Sequence, residues 1–242
     1  DISPFIKFGC LKDDKFCEKM NDYILFKNLD GKYLTLADCL EENKEKHENK
    51  IFYVTDEKEQ SQYINMFKEA GIDAVILPNP IDSPFMQHVE QKNEGLKFLR
   101  IDADVNETFK DAEETDEAAK DAETLAEVFK KAIGNDKLNV KVEKLKNEGL
   151  ASMITVSEES RRMQDMMKMY SMYGGGSDLF PAEETLVLNA NNGLVKYVLN
   201  NRDGEKTPML CEQLYDLAKL AHGSLSPERM TKIIARSSEI MK

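Results

Sequence analysis

"KIFYVTDEKEQSQYINMFKEAGIDAVILPNPIDSPFMQHV", residues 50–89, decides the first half of the fold. Lys50–Thr55 is a run of β-branched and aromatic residues, and Asp73–Pro78 is a second apolar run of strand length. Between them, "QSQYINMFKEAG" reads as a helix stopped by Gly71, since glycine most readily takes the left-handed conformation that ends a helix. Asp82 then caps another helix with Pro84 in its first turn, and Leu96–Ile101 is a third strand. Strand, helix, strand, helix, strand predicts a small parallel sheet covered by helices, because parallel neighbours need crossovers. Upstream, Phe16, Met20, Tyr23, Ile24 and Phe26 fall near a helical period over Phe16–Phe26, and Thr35 opens a short capped helix, "TLADCLEEN".

Parallel sheets of this kind often hold a dinucleotide at their strand ends. The turn after the first strand, "TDEKEQ", opposes that use: it has no glycine to let the backbone approach a pyrophosphate, and it carries acids where an anion would bind.

The composition, 41% hydrophobic and 32% charged over 242 residues, is that of a folded, soluble protein, and no apolar run is long enough to span a bilayer. Forty-five acids against 33 bases argue against a nucleic-acid surface. Eleven of those acids lie between Asp102 and Glu127, opposed only by Lys110 and Lys120, as in a solvated helix or linker. Cys10, Cys17, Cys39 and Cys211 are scattered and read as reduced thiols, and His47, His88 and His222 lack metal-ligand spacing, so neither a disulfide framework nor a metal is expected. The start, "DISPFIKFGC", has no leader pattern and reads as a cut inside a longer chain.

Past the acidic block, "ETLAEVFKKAIGN" is a helix with Leu125, Val128, Phe129 and Ile133 on one stripe and Gly134 as its stop. "NVKVEKL" and "ASMITV", joined by "KNEG", read as an antiparallel hairpin, and Thr185–Asn189 as a further strand before a helix over Leu194–Leu199. The chain closes with two helices. One carries Leu210, Leu214, Leu217 and Ala221 at i, i+4, i+7, i+11; the other, capped by Ser226 and opened by Pro227, carries Met230, Ile233, Ile234, Ser237 and Met241. Two helices make half of a four-helix bundle, so these stripes are expected to form a two-fold dimer interface.

"SRRMQDMMKMYSMYGGG", residues 160–176, puts Met163, Met166, Met167 and Tyr170 on one helical face, while Met169, Met172 and Tyr173 widen the arc beyond one buried stripe. Methionine repacks at little cost and suits a surface that meets many partners, and the three glycines that follow tether the helix loosely. At least two of Met166, Met167, Met169, Met172 and Tyr173 are therefore expected to be exposed, although some of these side chains also suit a core against "ASMITV".

The 50–89 stretch resembles the ninety-kilodalton heat-shock chaperone family at Phe52 and Tyr53, at Gly71, Ile72, Asp73, Ala74 and Val75, and at Ile81 and Asp82, with Ser83 where the family has Glu. The second half is similar to the family's C-terminal domain at Val140, Val142, Leu145, Ala151, Val156, Met163 and Met166. Gly149 and Leu150 replace a Ser-Pro, Asn189 is kept, and Asn192 takes a usual His position. The resemblance runs along the whole chain, and the close "SSEIMK", without the acidic tail of the eukaryotic relatives, fits the bacterial, HtpG-type branch. It implies an α/β fold, α+β overall. Residues 1–105 would be a small αβα part of a middle domain with a short parallel sheet, 106–123 an acidic linker and helix start, and 124–242 a mixed α+β dimerisation domain ending in a helical bundle. It further implies a cytoplasmic homodimer that binds unfolded or partly folded clients through the methionine helix, with neither nucleic acid nor membrane as partner. ATP and magnesium would belong to a nucleotide domain preceding residue 1, leaving no cofactor and no catalytic residue here. A dimeric scaffold without chaperone activity and an enzyme using the strand ends are the competing readings; "TDEKEQ" and "PNPIDS" supply the latter with acids but no nucleophile, base or phosphate loop.

Overall fold

The computed structural model describes residues 2–45, 47–103, 109–111, 116–163, 167 and 183–241. By contacts the chain divides into two compact units: residues 1–103 together with the described part of 157–182, and residues 104–156 together with 183–242.

The first unit begins with α1 (Ser3–Lys12) and α2 (Asp14–Met20), followed by β1 (Phe26–Lys27), β2 (Tyr33–Leu34) and α3 (Leu36–Asn43). Then β3 (Lys50–Val54), α4 (Ser61–Glu69), β4 (Ala74–Ile76), α5 (Asp82–Lys92) and β5 (Lys97–Arg100) alternate as expected. Among the described residues the sheet runs β4-β3-β5, parallel throughout, with Phe52 opposite both Ala74 and Leu99. Its two faces follow the strand period of two. Ile51, Tyr53 and Phe98 join a core that includes Cys10, Cys17, Phe85 and Val89 from α1, α2 and α5. On the other face Phe52 meets Phe67 of α4 edge-on at 4.9 Å between ring centroids. Gly71, at φ 62°, ends α4: its N–H bonds Lys68 O and the Ile72 N–H bonds Phe67 O, the paired closure that left-handed glycine permits.

Two local expectations change here. The helix proposed over Phe16–Phe26 stops at Met20, and after the short 3₁₀ turn Asn21–Tyr23 the chain is extended at Phe26, which pairs with Leu34. Phe26 is drawn into the core, 6.5 Å from the Phe85 ring and 6.4 Å from Phe98, and that packing overrides the helical period. Asp82 does not cap α5 from outside but is its first residue. Buried at 1% exposure, its carboxylate accepts the Asn79 N–H at 2.8 Å and pairs with the equally sequestered Lys7 ammonium. The Thr35 cap holds as read, closed into a reciprocal box by Asp38.

The second unit consists of α6 (Asp116–Ile133), β6 (Asn139–Glu143), β7 (Ser152–Val156), β8 (Glu184–Asn189), a helix over Gly193–Asn200, and the closing helices Thr207–His222 and Pro227–Ile240. With the helical segment over 158–163 taken as α7, the last three are α8, α9 and α10. α6 starts within the acidic block, so part of that block is helix. Leu125 and Phe129 of α6 pack with Ile154, Leu186, Leu188, Val198 and the inner face of α9.

The expected "KNEG" hairpin does not form. Among the described residues the sheet order is β6-β8-β7, with β8 inserted between the two strands, parallel to β6 and antiparallel to β7. Asn189, fully buried, explains the detour. Its side-chain oxygen accepts the Leu145 N–H at 3.0 Å, and its NH₂ donates to Asn147 O at 2.9 Å and Leu150 O at 2.8 Å. Asn192 adds a bond from its NH₂ to Glu148 O at 2.7 Å. Loop 145–150 thus wraps the end of β8, and every position of β7 is buried, without the alternation a two-stranded ribbon would carry.

Candidate functional site

The methionine helix starts from a cap that the sequence reading did not single out. The Ser157 side-chain oxygen accepts the Ser160 N–H at 3.2 Å, and the Ser157 carbonyl accepts the Arg161 N–H at 3.0 Å. From this first turn, side chains reach the edge strand β5. Residues 97, 99 and 101 face β3 along that strand, for Lys97 N–H bonds Asn49 O and Ile101 N–H bonds Tyr53 O, which leaves Phe98 and Arg100 facing outward. Glu158 accepts the Arg100 N–H at 2.8 Å and the Tyr53 hydroxyl at 2.9 Å. Glu90 of α5 accepts the Phe98 N–H at 2.7 Å. The Arg162 guanidinium spans these groups: it donates to both Glu90 oxygens at 2.7 and 2.8 Å, to Glu158 at 2.9 Å, and to Phe98 O at 2.9 Å. Arg161 and Arg100 both approach the buried Asp102 carboxylate, at 3.3 and 2.8 Å.

The charge states follow from these contacts. Burial works against ionisation of Glu90, but the bonds from Arg162 and the Phe98 N–H outweigh it and hold the carboxyl below its ordinary value. Burial, then the neighbouring Glu158 carboxylate, drives the Tyr53 hydroxyl far upward, so it stays a neutral donor. Arg162 is held more firmly protonated, first by Glu90. Bidentate, charge-assisted contacts of this kind fix direction as well as energy.

Of the methionine-face residues, Met163 is 47% exposed and Met167 half-buried. Met166, Met169, Tyr170, Met172 and Tyr173 lie outside the described residues.

At the end of β3 and at the cysteines, polar and nucleophilic groups are occupied or suppressed. In "TDEKEQ", Gln60 takes the Thr55 and Asp56 N–H groups at 2.8 and 3.0 Å, and Asp56 takes those of Lys58 and Glu59 at 2.8 and 3.0 Å. The amides at the end of β3 are therefore already bonded to carbonyl and carboxylate oxygens of the chain itself. All four cysteines are free and buried, and burial pushes the Cys39 and Cys211 thiols up to about 12, far from a reactive thiolate.

A family model described as Hsp90 protein matches residues 1–242. The chain belongs to the Hsp90 protein family. Curated relatives include the chaperone protein htpG of Bacteroides fragilis strain YCH46, 33% identical over 220 residues, which is 85% of this chain and 32% of that protein. The chaperone protein HtpG of Porphyromonas gingivalis strain W83 is 30% identical over 234 residues, 90% of this chain and 34% of that protein. The endoplasmin homolog of Dictyostelium discoideum is 22% identical over 231 residues. This Hsp90 chain spans about a third of the length of the curated relatives it matches.

Within this member of the Hsp90 family the closing helices divide their apolar residues differently from the sequence reading. Leu214 and Ile233 are buried at 3% and 5% exposure within the single chain, and Leu210 packs on the same core. Met230 and Ala221 are half-buried, whereas Leu217, Ile234 and Met241 point outward at 44%, 61% and 80% exposure, joined by Leu220. Of the residues expected at a dimer interface, Leu214, Ile233 and Leu210 are thus engaged by the chain's own packing. α9 turns Cys211, Leu214, Tyr215 and Ala218 inward, an i, i+3, i+4, i+7 stripe against β7 and α6.

Buried Asp216, also missed from sequence, fastens α10 by accepting Arg229 at 2.7 Å and Arg236 at 2.9 Å. Its signal was a charge set inside an apolar stripe. The signal for the β5 clamp was "SEESRR", two acids and two arginines one turn apart, directly ahead of the methionines.

Proposed function

We propose that this chain is the client-binding and homodimerising part of an ATP-dependent, cytoplasmic chaperone that assists folding under stress, and that it holds no catalytic residue itself. The observation that carries the reading is Met163: an apolar side chain left nearly half in solvent on a helix whose base is fixed by charge-assisted bonds, at the head of a methionine-rich segment. A rigid base with adaptable side chains above it suits binding to unfolded chains of varied sequence. Membership of the Hsp90 family supports the same direction. ATP and magnesium would be bound by the remainder of the parent protein, and the unfolded client and a second copy of the chain would be the partners.

The test replaces Met169 and Met172 by Ser and follows suppression of a model client's aggregation beside the melting temperature. Lost suppression with unchanged melting supports a client surface; a large fall in melting temperature would assign these methionines to the core. For the dimer, the outward Leu217, Leu220, Ile234 and Met241 are the surface to disrupt. Ile234→Glu is expected to sediment as a monomer with its melting temperature unchanged, whereas Leu214→Glu is expected to unfold the second unit, because it forces a carboxylate into that unit's core. Intact dimers without any suppression would favour the scaffold reading.

A further inference from the structure

Of the outward backbone groups of the edge strand β5, the Arg100 C=O is taken by the Ala103 N–H, and the Phe98 N–H and C=O and the Arg100 N–H are each taken by a side chain where a neighbouring strand would otherwise bond. Glu90 supplies the acceptor for Phe98 and Glu158 the acceptor for Arg100, while Arg162 supplies the donor and ties both carboxylates together. Two of these three residues lie on the first turn of the methionine helix, four positions apart on one face. The sheet edge and the helix base therefore complete each other: without α7 the Arg100 N–H and the Phe98 C=O lose their partners, and without β5 Arg162 loses its bond to Phe98 O.

We propose that Arg162 is the positioning residue of the client-binding helix, a latch whose fork to Glu90, Glu158 and Phe98 O seats the helix base on β5 and so sets where Met163 points. The inference rests on the client-binding reading for its consequence but not for its geometry. Lysine cannot substitute, since a single ammonium cannot reach two carboxylates and a carbonyl in the fork geometry that guanidinium provides. Tyr53 contributes from below, its buried hydroxyl holding Glu158 in register with the Arg100 N–H.

The experiment compares Arg162→Met, Arg162→Lys and Tyr53→Phe with the unaltered 242-residue chain, measuring amide hydrogen exchange by segment together with suppression of client aggregation. The latch predicts exchange raised at least about tenfold over 158–163 and at the Phe98 and Arg100 amides in both Arg162 variants, with a smaller rise in Tyr53→Phe, while β3, α4 and the second unit keep their protection. Suppression should fall together with the exchange change. Unchanged exchange over 158–163 in Arg162→Met and Tyr53→Phe would overturn the latch. So would a rise spread evenly through the first unit, which would mean a general packing role, and so would a freed helix with full suppression. Should Met169→Ser with Met172→Ser leave suppression intact, the client reading fails by itself, and the exchange pattern still decides whether Arg162 seats the helix.

Discussion

The two three-stranded sheets are built on the same plan, a central strand with buried apolar residues and one neighbour on each side, but the chain fills them in opposite order. In the first, the central strand β3 comes first and its neighbours follow by crossovers. In the second, the central strand β8 comes last, entering between β6 and β7 after residues 157–183 have been set aside. Val156 and Glu184 are cross-strand partners, so the methionine segment is the connection of an antiparallel pair, leaving and rejoining the sheet at one level. A long connection anchored at both ends by adjacent strands is a common place for a functional loop.

Each sheet also has beside it a buried polar side chain that bonds loop backbone and can be compared with the other: Asp82, paired with Lys7, at the first and the amide Asn189 at the second. This contrast can be broken in order of expected effect. Asp82→Ala removes the carboxylate from Lys7 and leaves an ammonium buried without its partner, which should cost about 3–5 kcal/mol of stability. Denaturant unfolding checks it, and the double change Lys7→Met with Asp82→Leu should recover much of the loss, because a buried pair replaced by apolar groups is often neutral. Asn189→Ala strands the Leu145 and Asn191 N–H groups and the Leu150 carbonyl, for an expected loss of about 2–4 kcal/mol. Faster amide exchange over 145–150 and along β6 and β8, with β3–β5 unaffected, would sharpen the distinction between the sheets; equal loosening of both would erase it.

The smallest effect concerns pH. Glu90 is held below its ordinary value of 4.5, so the stability it contributes is fully present above that value and is lost as pH falls through the lower, folded-state value. Amide protection over 158–163, taken relative to the intrinsic exchange rate at each pH, should therefore fall on acidification below about pH 4.5, and Glu90→Gln should flatten that dependence. A flat profile in the unaltered chain would show that Glu90 ionisation does not hold the helix base.

The sequence by itself determined the elements whose cause is local. Strands β3, β4 and β5, the Gly71 and Gly134 stops, the Thr35 and Ser226 caps and the inward stripe of α6 rest on residue type at short spacing, and the parallel sense of the first sheet follows because the strands are joined by helical crossovers. Tertiary structure alone decided what depends on distant partners. Phe26 is extended because Phe85 and Phe98 receive it, and β6 and β7 are kept apart because β8, some forty residues downstream, brings Asn189 to the loop between them. Leu214 turns inward while Ile234 stays outside because the arc of a helix that is buried depends on what packs beside it. The clamp on β5 was least legible of all: Tyr53, Glu90 and Arg162 are far apart along the chain, and their charges and hydroxyl acquire direction only where an open sheet edge and a helix base are brought within hydrogen-bond distance.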